Sequence, residues 1–284
     1  MLSHMWAQHQ PFYSQYIYSG LLINPAYAGS QDALNFTAVV KNQWTGVQGS
    51  PKNINMAIHS PLRQKTSSIG LTVNSEKIGI TTSNEIAGIY SYKLKIRKSI
   101  LALGLKAGME IIKNDWSQIK TTTENDPTFM NQAQVKYNPN FGAGAYFYNS
   151  KSFAGISFPT LYNVGLKDLN KFNHANIYGG HLFSISDDFK IKPSVLFKYL
   201  KDSPIQYDLT TTVYILKNYG LGLGYRSSAD LYFYVDLKLN NQLNIGYAYD
   251  YSLTKIRTYS HGSHEIMLRY LFNYNINSKS VRYF

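Results

Sequence analysis

Alternation of apolar and polar residues at period two is the property that most constrains this chain, and it is cleanest between Asp230 and Tyr251. Leu231, Phe233, Val235, Leu237 and Leu239 are apolar, while Asp230, Tyr232, Tyr234, Asp236, Lys238 and Asn240 between them are polar or amphipathic. Successive side chains of a strand point to opposite faces, so the run predicts a strand with two environments. After Asn240-Asn241, residues that tolerate the positive φ of a tight turn, Leu243, Ile245, Tyr247, Tyr249 and Tyr251 alternate with Asn244, Gly246, Ala248, Asp250 and Ser252. The result is a hairpin with one greasy, aromatic face and one small or charged face. A soluble barrel or sandwich turns the greasy face to a dry interior; an outer-membrane barrel turns it to lipid and lines its lumen with the polar face.

The rest of the chain decides between them. Patterned runs start with Leu34 to Val40, Ile54 to Ile58, Ile69 to Val73, Ile86 to Leu94 and Leu101 to Ile111. They continue near 138–148, 151–158, 175–185, 190–199, 205–216, 219–225, 230–239, 242–251 and 265–274, which makes fourteen. If the chain enters from the periplasm, the inner connections are 60–68, 95–98, Asn149-Ser150, 186–189, Lys217-Asn218 and Asn240-Asn241. The outer ones are 44–51, 75–82, 113–137, 159–174, 200–204, 226–229 and 252–264. Five of the six inner connections are tight and most outer ones are long, the asymmetry of bacterial outer-membrane barrels. Gln206, Asp208, Thr210 and Thr212 on one strand, and Lys192, Ser194 and Lys198 on another, read as a wet lumen in which charges need no partners. The predicted fold is all-β, a 14-stranded antiparallel transmembrane outer-membrane β-barrel. Phe233 is expected to face lipid, and Asp236 and Lys238 the lumen.

Composition agrees. Aromatics make up 15% of the chain, with 25 Tyr, 14 Phe and 3 Trp, as suits two membrane interfaces. The longest greasy run, Ile100 to Met109, is broken by Gly104, Lys106 and Gly108, far short of a membrane helix. A mean hydropathy of −0.27 is compatible with a barrel that is apolar on alternate residues. Cysteine is absent, which excludes disulfides and thiolate metal sites. The net charge of +12 reads as lumen, loops and turns facing water or lipopolysaccharide phosphate, or more sharply as a docking surface for an acidic partner. Basic residues are scattered through strands, so no nucleic-acid role is expected.

No composition shift divides the chain. We expect 1–8 to be a remnant of a signal or of preparation, with Ala7 at a former cleavage site. Residues 9–33 form an N-terminal segment, 34–274 the barrel and 275–284 a tail. Residues 9–33 show no clean period, and Asn24-Pro25 and Ala28-Gly29 fix turns in them. The segment is expected to plug the lumen, to lie at the periplasmic mouth, or to serve as a lead-in to the first strand.

Little in the chain reads as chemistry. His261 and His264 with Glu265 have a spacing that could grip a metal, but lack a third fixed ligand and read as solvated. Gly142-Ala143-Gly144 and Gly220 to Gly224 precede no helix, so they relieve crowding in curved strands rather than bind phosphate. Ser14, Ser60 and Ser194 sit in no nucleophile motif. The expectation is no enzyme, no metal and no cofactor.

Several segments together carry a family resemblance. Gln10 to Tyr16, Leu21 to Ser30 with Asn24-Pro25-Ala26-Tyr27-Ala28-Gly29, Lys41 to Gly46, Gly49-Ser50-Pro51, His59 to Leu62, Glu76 to Gly79 and Gly262 to Ile266 resemble the PorP/SprF family of type IX secretion outer-membrane proteins of Bacteroidota. Where the family's opening carries an acidic residue before the first proline, this chain has Gln10. The resemblance implies an outer-membrane barrel serving secretion and gliding. It implies partners in the type IX machinery, including periplasmic ring components, or in the C-terminal domain of a secreted adhesin retained at the surface; lipid and lipopolysaccharide would surround it. It marks Pro11, Ser14, Gln15, Tyr16, Asn24, Pro25, Ala26, Tyr27 and Gly29 as an N-terminal motif. Asn42, Gln43, Trp44, Gly46, Pro51, His59 and Pro61 form a second motif, with Trp44 an interface anchor and His59 a satisfied rim residue. Trp116, Phe129, Tyr162, Phe172, Tyr259, His261 and His264 are candidate partner contacts in outer loops. The alternative is a transport channel for small or hydrophobic solutes.

Overall fold

The structure, a computed structural model, describes residues 13–116, 134–163, 174–200 and 203–272. Fourteen antiparallel strands form one closed sheet. They are β1 Leu34–Asn42, β2 Lys52–Pro61, β3 Ser67–Ile78, β4 Thr81–Ile96, β5 Ser99–Asn114, β6 Gln134–Tyr148 and β7 Ser152–Asn163. Then come β8 His174–His181, β9 Phe189–Leu200, β10 Gln206–Ile215, β11 Tyr219–Arg226, β12 Asp230–Lys238, β13 Leu243–Ser252 and β14 Ser263–Phe272. A two-residue piece, Phe183–Ser184, carries β8 past a break at Leu182 and also pairs with β9. Each strand pairs with its sequence neighbours, and β14 closes on β1 with Leu34 opposite Phe272 and Asn42 opposite His264. Closure removes both sheet edges, the condition for a sheet to stand in hydrocarbon.

Burial follows the alternation. On β12, Leu231, Phe233 and Leu237 are exposed on the outer surface, while Tyr232, Tyr234 and Asp236 are buried within. Ile54, Met56 and Ile58 on β2, Leu71 and Val73 on β3, and Leu221 and Leu223 on β11 continue the outer apolar band. Among the described residues no helix is long and apolar enough to cross a membrane, so the crossing is made by strands.

Inside, the glycines of β11 have a specific cause. A Cβ on Gly222 would lie 2.0 Å from Tyr234 Cζ, and one on Gly224 2.2 Å from Tyr232 Cζ. The two rings lie across β11 and reach β10, where the Tyr234 hydroxyl meets Thr212 Oγ1 at 2.5 Å and the Tyr232 hydroxyl meets Thr210 Oγ1. Side chains of β12 thus fill the room that β11 leaves.

Three expectations are corrected. The outer connection placed at 75–82 is the two-residue turn Gly79-Ile80, because β3 and β4 stay paired up to Ile78 and Thr81. Asn240 and Asn241 have no positive φ; instead Asn240 Oδ1 accepts from the N–H groups of Gln242 and Leu243, both at 2.8 Å. Asn149 Oδ1 does the same for Lys151 and Ser152, an asparagine side chain standing in for a backbone acceptor. The third concerns the lumen: many of its charges are dry and paired, as set out next.

Candidate functional site

Residues 13–33 run inside the ring. Tyr16–Tyr18 and Pro25–Tyr27 are 3-10 turns, and Gly20–Ile23 is one helical turn. Ser14 meets Asp250, Lys41, Arg226 and Glu265, all near the strand ends that carry the outer connections. Tyr18 donates to the Tyr214 hydroxyl at 3.1 Å deeper in the barrel. Gly29 meets His59 and Lys93, near the ends that carry the inner turns. The segment therefore descends the lumen from the outer end to the inner one before entering β1. Eight strands leave an interior that side chains fill, and sixteen leave an aqueous channel; a fourteen-stranded ring needs a segment of this size to be filled.

The top of the plug is held by charge. Glu265 accepts the backbone N–H of Ser14 at 2.8 Å and of Gln15 at 2.9 Å, one on each carboxylate oxygen. Lys41 Nζ lies 2.7 Å from Asp250 and 3.5 Å from Glu265. Arg226 bridges Asp208 at 3.0 Å and Asp250 at 3.3 Å, and Ser14 Oγ donates to Asp250 at 2.5 Å. All five ionic side chains are buried. Buried ions are tolerated only when paired and hydrogen-bonded, and here each partner comes from a different strand or from the plug. Below them, buried Lys192 lies over the Tyr18 and Tyr214 rings, 5.2 and 5.1 Å from their centroids.

The Asn-Pro-Ala-Tyr-Ala-Gly run forms the middle and foot. Asn24 is extended, as the residue before a proline prefers; its Oδ1 caps the next turn by accepting from Ala26 N at 2.9 Å, and Pro25 takes the first position. The Asn24 Nδ2 group then donates to two wall carbonyls, Ala145 at 2.9 Å and Ile156 at 3.2 Å. The wall is cut to fit: a Cβ on Gly144 would lie 2.1 Å from Asn24 Oδ1, and one on Gly104 2.2 Å from Ala26 N. Ser157 Oγ donates to Ile23 O at 2.6 Å. At the foot, Gly29, with φ +69°, gives its N–H to His59 Nδ1 at 3.0 Å, and the Tyr27 ring meets His59 edge-on at 5.7 Å.

Of the N-terminal motif, Ser14, Gln15, Tyr16, Asn24, Pro25, Ala26, Tyr27 and Gly29 all sit in the plug; Pro11 lies outside the described residues. His59 is satisfied, but by the plug inside the lumen, where it is buried. Asn42 ends β1, and Gln43 N donates to Pro51 O at 2.9 Å across the loop. That loop zips onto the one before β14: Thr45 N and His261 N exchange bonds with Gly262 O and Thr45 O at 2.8 Å each, and Trp44 N donates to Ser263 Oγ at 3.1 Å. A Cβ on Gly46 would strike His261 Nδ1 at 2.6 Å. Pro61 closes β2 at the inner rim. Tyr259 is 75% exposed beside this clasp, and His264 Nδ1 is 2.7 Å from the Tyr247 hydroxyl on the outer face. Glu265 points the other way, into the lumen, so His264 and Glu265 do not share a site. Trp116 follows β5 at the outer rim, and Tyr162 lies in β7 opposite Phe141; Phe129 and Phe172 lie outside the described residues.

Sequence reasoning missed the wall that receives the plug: Lys41, Asp208, Arg226, Asp250, Glu265, Gly104, Ser157 and Asn176. It also missed a vestibule of about 170 Å³ above the plug, floored by Tyr13, Tyr16 and Ile23 and walled by asparagines and carboxylates of the outer strand halves. Inward parity marked several of these residues as lumenal. Nothing in a single sequence shows which of them meet.

The family model described as "Type IX secretion system membrane protein PorP/SprF" matches residues 5–270. No curated protein matches the chain. Among solved structures it is similar to the Acinetobacter baumannii outer membrane protein Omp33, at 8% identity and TM-score 0.49 over 85% of this chain and 100% of that one. It is also similar to the CymD monoaromatic hydrocarbon channel, at 11% identity and TM-score 0.51 over 90% of this chain and 93% of that one. The second likeness shows a shared barrel fold.

Proposed function

Because this chain belongs to the PorP/SprF family of type IX secretion system membrane proteins, an outer-membrane barrel by fold, we propose that it is a non-enzymatic holding and coupling component. On the outer side it retains the C-terminal domain of a secreted surface adhesin; on the inner side its turns meet periplasmic ring components. Residues 9–33 act as the plug, 34–274 as the barrel and 275–284 as a tail. Outer contacts come from the segments 113–137, 159–174 and 252–264, which join strand ends to the connections between them, including Trp116, Phe129, Tyr259 and His261 together with Phe172 and the strand residues Tyr162 and His264.

The observation that carries this reading is the plug. Two of the cavities between plug and wall measure about 10 and 20 Å³, room for a single water each. A lumen filled by its own chain, hydrogen-bonded to the wall from end to end, suits a docking platform better than a solute path. The test is affinity capture of the tagged barrel from native membranes at low detergent. Recovery of a secreted protein by its C-terminal domain, together with machinery proteins, is expected; recovery of the barrel alone overturns the proposal. Planar-bilayer recording addresses the channel alternative, for which a steady open conductance of the intact protein is the signature.

A further inference from the structure

We propose that the outer vestibule is a receptor site for a guanidinium side chain presented by the polypeptide that the barrel holds. The proposal rests on the reading above only for the direction from which its occupant arrives.

The hydrogen bonds of the wall set the chemistry. Glu85 holds three donors: Lys106 Nζ lies 2.5 Å from Oε1, Asn140 Nδ2 donates to the same oxygen at 2.7 Å, and Asn74 Nδ2 donates to Oε2 at 3.1 Å. Those donations fix how both amides are turned, so their Oδ1 atoms are left as acceptors, buried and without a hydrogen-bond partner among the described residues. Asn176 is fixed likewise, its Nδ2 donating to Ile23 O at 3.4 Å and Ser157 Oγ at 3.3 Å, and its Oδ1 is also orphaned. Asn55 Oδ1 is a fourth buried acceptor without a partner, against two orphaned groups that can donate, Asn53 Nδ2 and the Tyr16 hydroxyl. Asn53, Asn55, Asn140 and Asn176 are each more than nine-tenths buried, and all five asparagines line the same cavity.

The amide side chains of the wall therefore leave more acceptors than donors unmet. The vestibule is also locally acidic, with three carboxylates, Glu76, Glu85 and Glu110, facing two ammonium groups, Lys106 and Lys198, in a chain whose net charge is +12. A ligand complementary to it brings several N–H donors and a positive charge. Guanidinium carries five donors in a planar fork and is weakly hydrated, which suits several separate oxygens better than a compact ammonium does. At about 170 Å³, the cavity takes a side chain and not a domain.

The experiment uses the full-length barrel in detergent micelles and a fluorescein-labelled pentapeptide, acetyl-Gly-Arg-Gly-Arg-Gly-amide, read by anisotropy. The citrulline peptide, isosteric and neutral, is the control. We expect saturable binding of the arginine peptide, at least tenfold weaker binding of the citrulline one, and weakening with salt. Glu110→Gln, which keeps the oxygen that accepts from Ser83 Oγ at 2.8 Å, should weaken the arginine peptide about fivefold and leave the citrulline peptide unchanged. A retained heat-modifiable band shows that the variant is folded. Equal binding of the two peptides, indifference to Glu110→Gln, or displacement of the probe by maltose would overturn the site. An adhesin domain that co-purifies while the arginine peptide fails to bind would overturn this inference and leave the proposed function standing; the converse would retain the site and remove that function.

Discussion

Glu265 presents a full carboxylate to two consecutive backbone N–H groups of the plug while Lys41 stays 3.5 Å away. Glutamine can accept only one of those bonds and turns its own NH₂ toward the other donor. Lys41 keeps Asp250, so the loss is that of a charged hydrogen bond, about 2 kcal/mol, and not of a whole buried pair. If plug opening is fast relative to cleavage, Glu265→Gln should make the segment around Ser14 roughly 30-fold more sensitive to limited proteolysis. Gly144→Ala tests the same docking sterically, since its Cβ would sit 2.1 Å from Asn24 Oδ1; we expect a loss of about 1–3 kcal/mol. Gly88→Ala, whose Cβ meets nothing nearer than 3.9 Å, should be neutral in the same proteolysis assay. At this scale the sequence was half legible. The inward parity of Asp250 and the special place of Asn24-Pro25 could be read from neighbours in the chain, whereas Ser14 meeting Asp250 spans the whole barrel.

Strands were the most legible elements, because alternation needs only local sequence and every predicted run falls on a strand. Their ends were less so: β3 and β4 continue through polar residues such as Asn74, Glu76, Ser83 and Glu85, which face the vestibule and look like loop when read singly. The plug was legible as irregular but not as buried, since nothing in its spacing tells lumen from mouth. Its removal gives the prediction proper to this scale. Deleting residues 13–33 strips Ser14 from the charge cluster, yet Lys41 with Asp250 and Arg226 with Asp208 remain paired within the wall. The barrel should still fold and show its heat-modifiable band, and it should conduct ions in planar bilayers where the intact chain does not. Silence from a folded deletion variant would mean that the wall collapses inward or that other residues fill the lumen.

Across the whole molecule, charge is sorted by position. Among the described residues five buried cations, Lys41, Lys93, Lys192, Arg226 and Arg269, stand against four buried anions, Asp208, Asp236, Asp250 and Glu265, a near balance in a chain whose net charge is +12. Much of it is on the rims. On the inner one, exposed Arg63 and Lys65 lie between β2 and β3, Arg97 and Lys98 between β4 and β5, Lys151 before β7 and Lys217 between β10 and β11, with Asp187 and Asp188 as the acidic exceptions. These turns are short and their backbones fixed by the strands, so the charges form a rigid crown a few Debye lengths across at physiological salt. A crown of one sign speeds the approach of an acidic partner and adds less to its residence, because rim charges act mainly through diffusional encounter. Replacing Arg63, Lys65, Arg97 and Lys98 by serine should therefore leave the barrel's stability within about 0.5 kcal/mol, as for exposed sites generally. It should slow association with periplasmic machinery proteins about tenfold at low salt, with a smaller change in dissociation, and the difference from wild type should vanish by about 0.5 M salt as screening shortens the reach of the charges. Surface plasmon resonance on detergent-solubilised barrels measures both rates. An unchanged association rate at low salt would mean that the inner crown serves phospholipid headgroups alone and that the machinery docks elsewhere.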